Sequence, residues 1–245
     1  MPAAERNMAA PNGCPKLIFN YRNSILSIVD GKSQASKEYS LYFVGTRDGS
    51  VLVRTDPGET CSIGIEFYPH GAYPIFGVPM AEAVNTLLTA DVLPWARNFC
   101  SSMPTFRSPH DAVDFIQGEL VTTLHRRNLR NPIVEFCVGT MRSMDGLVNI
   151  SDLGRKTGYT RRYLEMLFKD HVGFSPKVLA GIYRFQKFYR DWAAGYSFED
   201  IKDDLYDYYY DQSHFAREFK RMTGFSPHFF NREVSNNFGR RLIIR

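Results

Sequence analysis

Between Lys16 and about Pro69 the apolar side chains come in short runs: LIFNY, ILSIV, YSLYFVG, SVLVRT and CSIGIEFYP. They are rich in the β-branched and aromatic residues that suit a pleated surface. Gly31, Asp48-Gly49 and Pro57-Gly58 punctuate the runs, as hairpin connections require. The pattern predicts a small antiparallel β unit. Beyond HGAYPIFGVP (70–79) the period lengthens, and AEAVNTLL reads as helical. So does DAVDFIQGELVTTLHRR after Ser108-Pro109, where Pro109 suits a first helical position because its missing N–H would have no partner there. From Asn131-Pro132 to Val234 nearly everything reads as helix.

One string in the helical part occurs twice. Phe168-Lys169-x-x-x-Gly173-Phe174-Ser175-Pro176 returns as Phe219-Lys220-x-x-x-Gly224-Phe225-Ser226-Pro227, displaced by 51 residues, which points to a duplicated supersecondary unit. In the first copy Thr160 is a good N-cap, and Leu164, Leu167, Phe168 and Val172 share one helical face. Gly173 stops that helix, then Ser175 caps the next with Pro176 at its first position. The second copy repeats the design with Asp211 as cap, Phe215 and Phe219 on the inner face, and Gly224 as stop.

Upstream of Thr160, NISDLGRKTG (149–158) reads as a short helix ending in a glycine turn. A short helix, a tight turn and an amphipathic second helix compose a helix-turn-helix, whose second helix is buried along one face only and offers its outer residues to a major groove. In the first unit those outer residues are Arg161, Arg162, Glu165, Met166 and Lys169; in the second they are Gln212, Ser213, Ala216, Arg217 and Lys220. Arg and Gln match base edges in bidentate fashion, whereas Lys suits phosphate. Between the units PKVLAGIYRFQKFYRDWA (176–193) would form one helix of roughly 27 Å, a length that sets two readers in successive major grooves about 34 Å apart. Taken alone, Arg161-Arg162 reads equally well as a solvated charge pair, and an aromatic inner face as ordinary core.

Charge strengthens the nucleic-acid reading. The chain of 245 residues is 44% hydrophobic, which supports a real core and excludes disorder, and its net charge is +4. Residues 1–139 carry 12 basic and 13 acidic side chains, against 18 and 13 in residues 140–245, so the positive excess sits beside the duplication. That asymmetry favours a polyanionic partner for the C-terminal part. Cys14, Cys61, Cys100 and Cys137 form no Cys-x-x-Cys pair, which implies neither a zinc ribbon nor a disulfide framework. The N-terminus shows no signal-peptide pattern and no segment reaches the ~18 apolar residues of a membrane span. The expectation is a cytoplasmic protein with no membrane partner.

With these residues in view the chain resembles the AraC/XylS-type transcription regulators. The resemblance covers about residues 145–232 and rests on ISDLGRKTGYTRRYLEMLFKDHVGFSPK, the stretch RFQKF, and DQSHFAREFKRMTGFSPHFF. It implies two helix-turn-helix units joined by a long helix and bound to double-stranded DNA as one module. By motif position it implies base-facing roles for Arg162, Glu165 and Met166 in the first unit, and for Gln212, Ser213, Ala216 and Arg217 in the second. NGCPKLIFNY with IEFYPHGAYPIFGVP is similar to the β-rich sensor-type domain of one branch of this family. That similarity starts near residue 12, so a strand usual before that point is expected to be missing. A departure lies in FEDIKDDLYDYYYDQ (198–212), where Asp204 and Tyr208 stand for the alanine and glycine of the family's turn, or a short insertion is present. Its acidity, from Glu199, Asp200, Asp203, Asp204, Asp207 and Asp211, opposes phosphate contact and leaves the first unit as the expected main source of affinity.

Other chemistry finds little support. A cupin-type enzyme needs several His and carboxylate ligands, yet residues 1–109 hold only His70, beside Gly71 in a turn. No Gly-rich phosphate loop, Gly-x-Ser-x-Gly or His-Glu-x-x-His is present. Cys14 reads as a redox sensor only if its thiolate is stabilised, and otherwise as a small hydrophobe. His214 is expected to pack and hydrogen-bond within the second unit. Tyr206, Tyr208, Tyr209 and Tyr210 offer base stacking as one reading and packing beneath the reading helix as the favoured one.

The sequence therefore predicts an α+β protein that is not an enzyme and needs neither metal nor cofactor. Residues 1–95 form an antiparallel β domain of the cupin or jelly-roll kind, incomplete at its start, that senses or dimerises. Residues 96–144 are a helical connector, 145–234 an all-α double helix-turn-helix, and 235–245 a tail. The expected partner is double-stranded DNA, with RNA polymerase, a small-molecule effector on the β domain and a second copy of the chain as further candidates. The alternative is a protein-interaction or effector-binding module whose degenerate second unit no longer binds DNA.

Overall fold

A computed structural model describes residues 7–23, 25–29, 32–55, 61–93, 96, 100, 103–196, 200, 209 and 211–227. The N-terminal part is built from eight strands: β1 (Asn7–Ala9), β2 (Lys16–Arg22), β3 (Ile25–Val29), β4 (Lys32–Ser36), β5 (Ser40–Val44), β6 (Val51–Thr55), β7 (Cys61–Glu66) and β8 (Leu87–Thr89). They make two four-stranded antiparallel sheets, ordered β1-β6-β3-β4 and β7-β2-β5-β8. Every predicted β run is a strand. Three others, β1, β4 and β8, were not expected. β4, KSQAS, carries no apolar alternation and is held by its ladder to β3 from Ile25↔Ser36 to Val29↔Lys32.

Two expectations are corrected. The strand thought missing ahead of residue 12 has a counterpart in β1, whose NMA triplet carries no pattern of its own and is fixed by pairing with β6 from Asn7↔Val53 to Ala9↔Val51. AEAVNTLL is not an α-helix. It starts within a 3-10 turn at Met80–Ala83, is broken by the left-handed Asn85 (φ 58°), and ends in β8, because the open edge of β5 takes up Leu87, Leu88 and Thr89.

Among the described residues six longer helices follow: α1 (Pro109–Arg127), α2 (Pro132–Ser143), α3 (Ile150–Thr157), α4 (Arg161–His171), α5 (Pro176–Ala193) and α6 (Gln212–Thr223). Each starts on a side-chain cap. Ser108 and Asp111 form a reciprocal capping box on α1, and Asn131, Asn149, Thr160, Ser175 and Asp211 cap α2 to α6 in turn.

Three cores divide the molecule. The β core gathers Leu17, Phe19, Leu41, Phe43 and Phe76 with Ala112, Ile116 and Leu120, so α1 lays a face of i, i+4, i+8 spacing on the sheet. A second core joins Val134, Cys137, Val138 and Met141 of α2 to Leu153 of α3, Leu164, Leu167 and Phe168 of α4, and Leu179 of α5. The third joins Ile182, Phe185, Phe188, Tyr189 and Trp192 of α5 to Tyr209 and to Phe215, Phe219 and Met222 of α6. Helix α5 therefore serves both, with Leu179 and the partly buried Tyr183 in the second core and Val178 and its aromatic side chains in the third.

Candidate nucleic-acid interface

In the first unit Thr160 accepts a hydrogen bond from the Tyr163 N–H, which fixes where α4 begins. Gly158 ends α3 in the left-handed conformation (φ 75°), its N–H donating to the Gly154 carbonyl, so the chain reverses between the helices within Thr157–Thr160. With Leu164, Leu167 and Phe168 buried, α4 turns Arg161, Arg162, Met166 and Lys169 to solvent, and Glu165 is partly covered. Met166 is 51% exposed, far more than an unbranched apolar side chain needs for packing. Arg161 Nε donates to Glu165 Oε1 at 2.9 Å, an exposed i, i+4 pair that holds the carboxylate along the helix face.

The second unit is built alike. Asp211 Oδ1 accepts from the His214 N–H at 2.6 Å, and Gly224 (φ 80°) closes α6 with its N–H on the Lys220 carbonyl. Gln212, Ser213, Arg217 and Lys220 are exposed, and Ala216 is half-buried. All ten candidate residues thus lie on the outer sides of α4 and α6, none of them in a core.

Beneath α6 the inner contacts are partly polar. Glu218 lies 3.6 Å from Arg184 of α5, and Arg184 sits over the Tyr209 ring at 5.6 Å. Tyr209 is buried and packs edge-on against Phe215, in keeping with packing beneath the reading helix. Tyr206, Tyr208 and Tyr210, like Glu199, Asp203, Asp204 and Asp207, lie outside the described residues, as does the tail 235–245. His214 packs against Tyr209, but its Nδ1 is buried without a hydrogen-bond partner among the described residues. Its Nε2 stands 3.9 Å from Glu218, too far for the expected side-chain hydrogen bond.

Sequence reasoning passed over one exposed feature. Tyr159, in the turn, and Tyr163, in the first turn of α4, stack at 4.8 Å with their planes 22° apart, both more than a third exposed. The signal was available, since Tyr163 falls off the buried stripe of α4.

The other candidate chemistry finds no footing. Burial, then Glu66, push the Cys14 thiol up to about 12, which removes the thiolate a redox sensor needs. His70 sits in the Pro69–Gly71 turn, stacked on Tyr68, and burial lowers its pKa against the opposing pull of Glu135. Among the described residues no group of three His, Cys, Asp or Glu side chains is placed to hold a metal ion, and no helix is long and apolar enough to cross a membrane.

Comparison with known proteins agrees with this geometry. Residues 153–233 match the family of the helix-turn-helix domain, and residues 2–89 match a family described as a domain of unknown function. No curated protein matches the chain. Among solved structures, ToxT from Vibrio cholerae aligns over 94% of this chain and 94% of its own at 13% identity, with a TM-score of 0.49. The unsaturated fatty acid-bound form of ToxT aligns over 93% and 92% at 13% identity, with a TM-score of 0.44. The C-terminal part of the chain is therefore a helix-turn-helix domain, of the DNA-binding class.

Proposed function

We propose that this protein is a sequence-specific DNA-binding transcription regulator that reads two adjacent major-groove segments. The observation that carries the reading is the pair of like-built units: two capped helices, α4 and α6, each buried along one face, joined by an 18-residue helix of roughly 27 Å. Arg162, Glu165 and Met166 read bases in the first unit, and Gln212, Ser213, Ala216 and Arg217 in the second. Arg161, Lys169 and Lys220 anchor phosphates. The stacked Tyr159–Tyr163 pair lies beside Arg162 and adds an apolar surface suited to a thymine methyl or a sugar.

The domain division follows the same logic, with a β-rich regulatory part over residues 1–95, a connector over 96–144 and the reading domain over 145–234. A cavity of 430 Å³ between the two parts, lined by Cys14, Glu66, Tyr68, Arg142, Tyr183 and Arg190 among others, is large enough for a small effector. The protein works in the cytoplasm without catalysing a reaction, and meets RNA polymerase and a second copy of itself on DNA. A module that has lost DNA binding is the less favoured reading, because α4 exposes Arg161, Arg162 and Lys169 and α6 exposes Gln212, Arg217 and Lys220.

A salt titration of duplex binding tests this. Affinity should fall steeply and log-linearly with salt, as release of counterions from several phosphates demands. Absence of duplex binding at low salt would sink the proposal.

A further inference from the structure

The C-terminal ends of both reading helices rest on one turn of the β domain. The connection between β5 and β6, residues 45–50, which crosses from one sheet to the other, reaches α4 through Thr46, whose buried hydroxyl donates to the Val172 carbonyl at 2.9 Å. Four residues further on, the Ser50 hydroxyl donates to the Thr223 carbonyl at the end of α6, at 3.0 Å. Both acceptors belong to the last turn of a helix, where carbonyls lack an intrahelical partner. Between them Asp48 takes a hydrogen bond from Arg221 of α6 at 2.9 Å and another from Asn85 at 2.8 Å. The turn is itself braced, since the Asn85 N–H donates to the Thr46 carbonyl and the Gly45 N–H to the Thr86 carbonyl. Approach is close on the α4 side. Gly173 holds φ at 90°, and a Cβ there would stand 2.7 Å from Thr46 Oγ1 and 2.9 Å from the Met80 carbonyl.

Two helices that end on neighbouring residues of one braced turn cannot change their separation or tilt independently of it. The contacts lie at the ends remote from Arg161, Arg162, Gln212 and Ser213, so the first turns stay clear. We infer that the β5–β6 turn is the spacer that fixes the distance between the two readers, with Thr46, Asp48 and Ser50 as positioning residues for DNA reading. This rests on the proposed function. It adds that the β domain sets which spacing of half-sites is accepted.

The test selects bound duplexes from a randomised pool with the full-length protein and with Thr46→Val/Ser50→Ala, and reads the distribution of spacings between the two half-sites. The wild type should enrich one spacing. In the double variant, spacings one base pair longer or shorter should rise about fivefold relative to the best, the scale of the ~1 kcal/mol net worth of one hydrogen bond, while the half-site sequences stay the same. Thr46→Ser keeps the donor and should keep the narrow distribution. Asp48→Asn, on the surface, should broaden it in a protein whose melting curve is unchanged. An unaltered distribution in both the double variant and Asp48→Asn overturns the spacer while leaving DNA reading intact. Failure of the wild type to enrich any duplex overturns the DNA reading itself, and the spacer with it.

Discussion

At the scale of single residues, the proposed function divides the outer faces of α4 and α6 into base readers and phosphate anchors, and the two should fail differently. Arg162→Ala should cost about 1–3 kcal/mol on the selected duplex and relax preference at one base position. Lys169→Ala should weaken selected and random duplexes alike and lower the salt slope by about one. Competition binding with both duplexes distinguishes them, and equal losses from Arg162→Ala on both would reassign that residue to the backbone. A second expectation concerns pH. Burial lowers the pKa of His70 and of His171 from 6.5, opposed by Glu135 at the first and Asp170 at the second. The unfolded chain therefore takes up protons before the folded one as pH drops through 6.5, so stability is complete above that value and lost below it. Melting temperature should hold above about pH 7 and fall as the pH drops below 6.5, and fall less in His171→Phe, which keeps the ring packing of His171 on Tyr73 at 4.1 Å.

At the scale of elements, caps and stops were legible because they act within a turn of themselves. Thr160, Ser175 and Asp211 cap the helices expected of them, and Gly173 and Gly224 adopt the left-handed conformation that glycine alone takes without cost. What local pattern missed was structure imposed from a distance. β4 is polar and exists through its ladder, β8 is recruited by an open sheet edge, and Thr46 meets Val172 across 126 positions of chain. The readers were legible for the opposite reason: a half-buried helix leaves its outer residues in the sequence as polar interruptions of an apolar stripe. Helix α5 binds the second reader by aromatic packing, with Phe188 and Phe219 edge-on at 5.1 Å and both nearly fully buried. Phe219→Ala should cost about 3–5 kcal/mol, measured by chemical denaturation. A loss well under 1 kcal/mol would mean that the third core is not a cooperative part of the fold.

At the scale of the whole molecule, the duplication has been divided between two different environments. The first unit is completed by α2, which supplies Val134, Cys137, Val138 and Met141 to its core. The second is completed by α5, with Ala10 and Val84 of the β domain packed at its margin. Gln186 of α5 also donates to the Pro11 carbonyl at 2.6 Å, so the N-terminal segment is tied to the linking helix. Equal sequence motifs therefore sit on unequal supports: the first reader meets the β domain through His171 on Tyr73 and Val172 on Thr46, the second through the margin of its core and its last turn.

Turns between strands are ordinarily where a protein accepts added residues with least harm. The loop after β5 inverts that rule. One amino acid inserted between Thr46 and Ser50 would lengthen a bridge with a helix resting on each end, so evolution should have kept this stretch at constant length even where its neighbours drift.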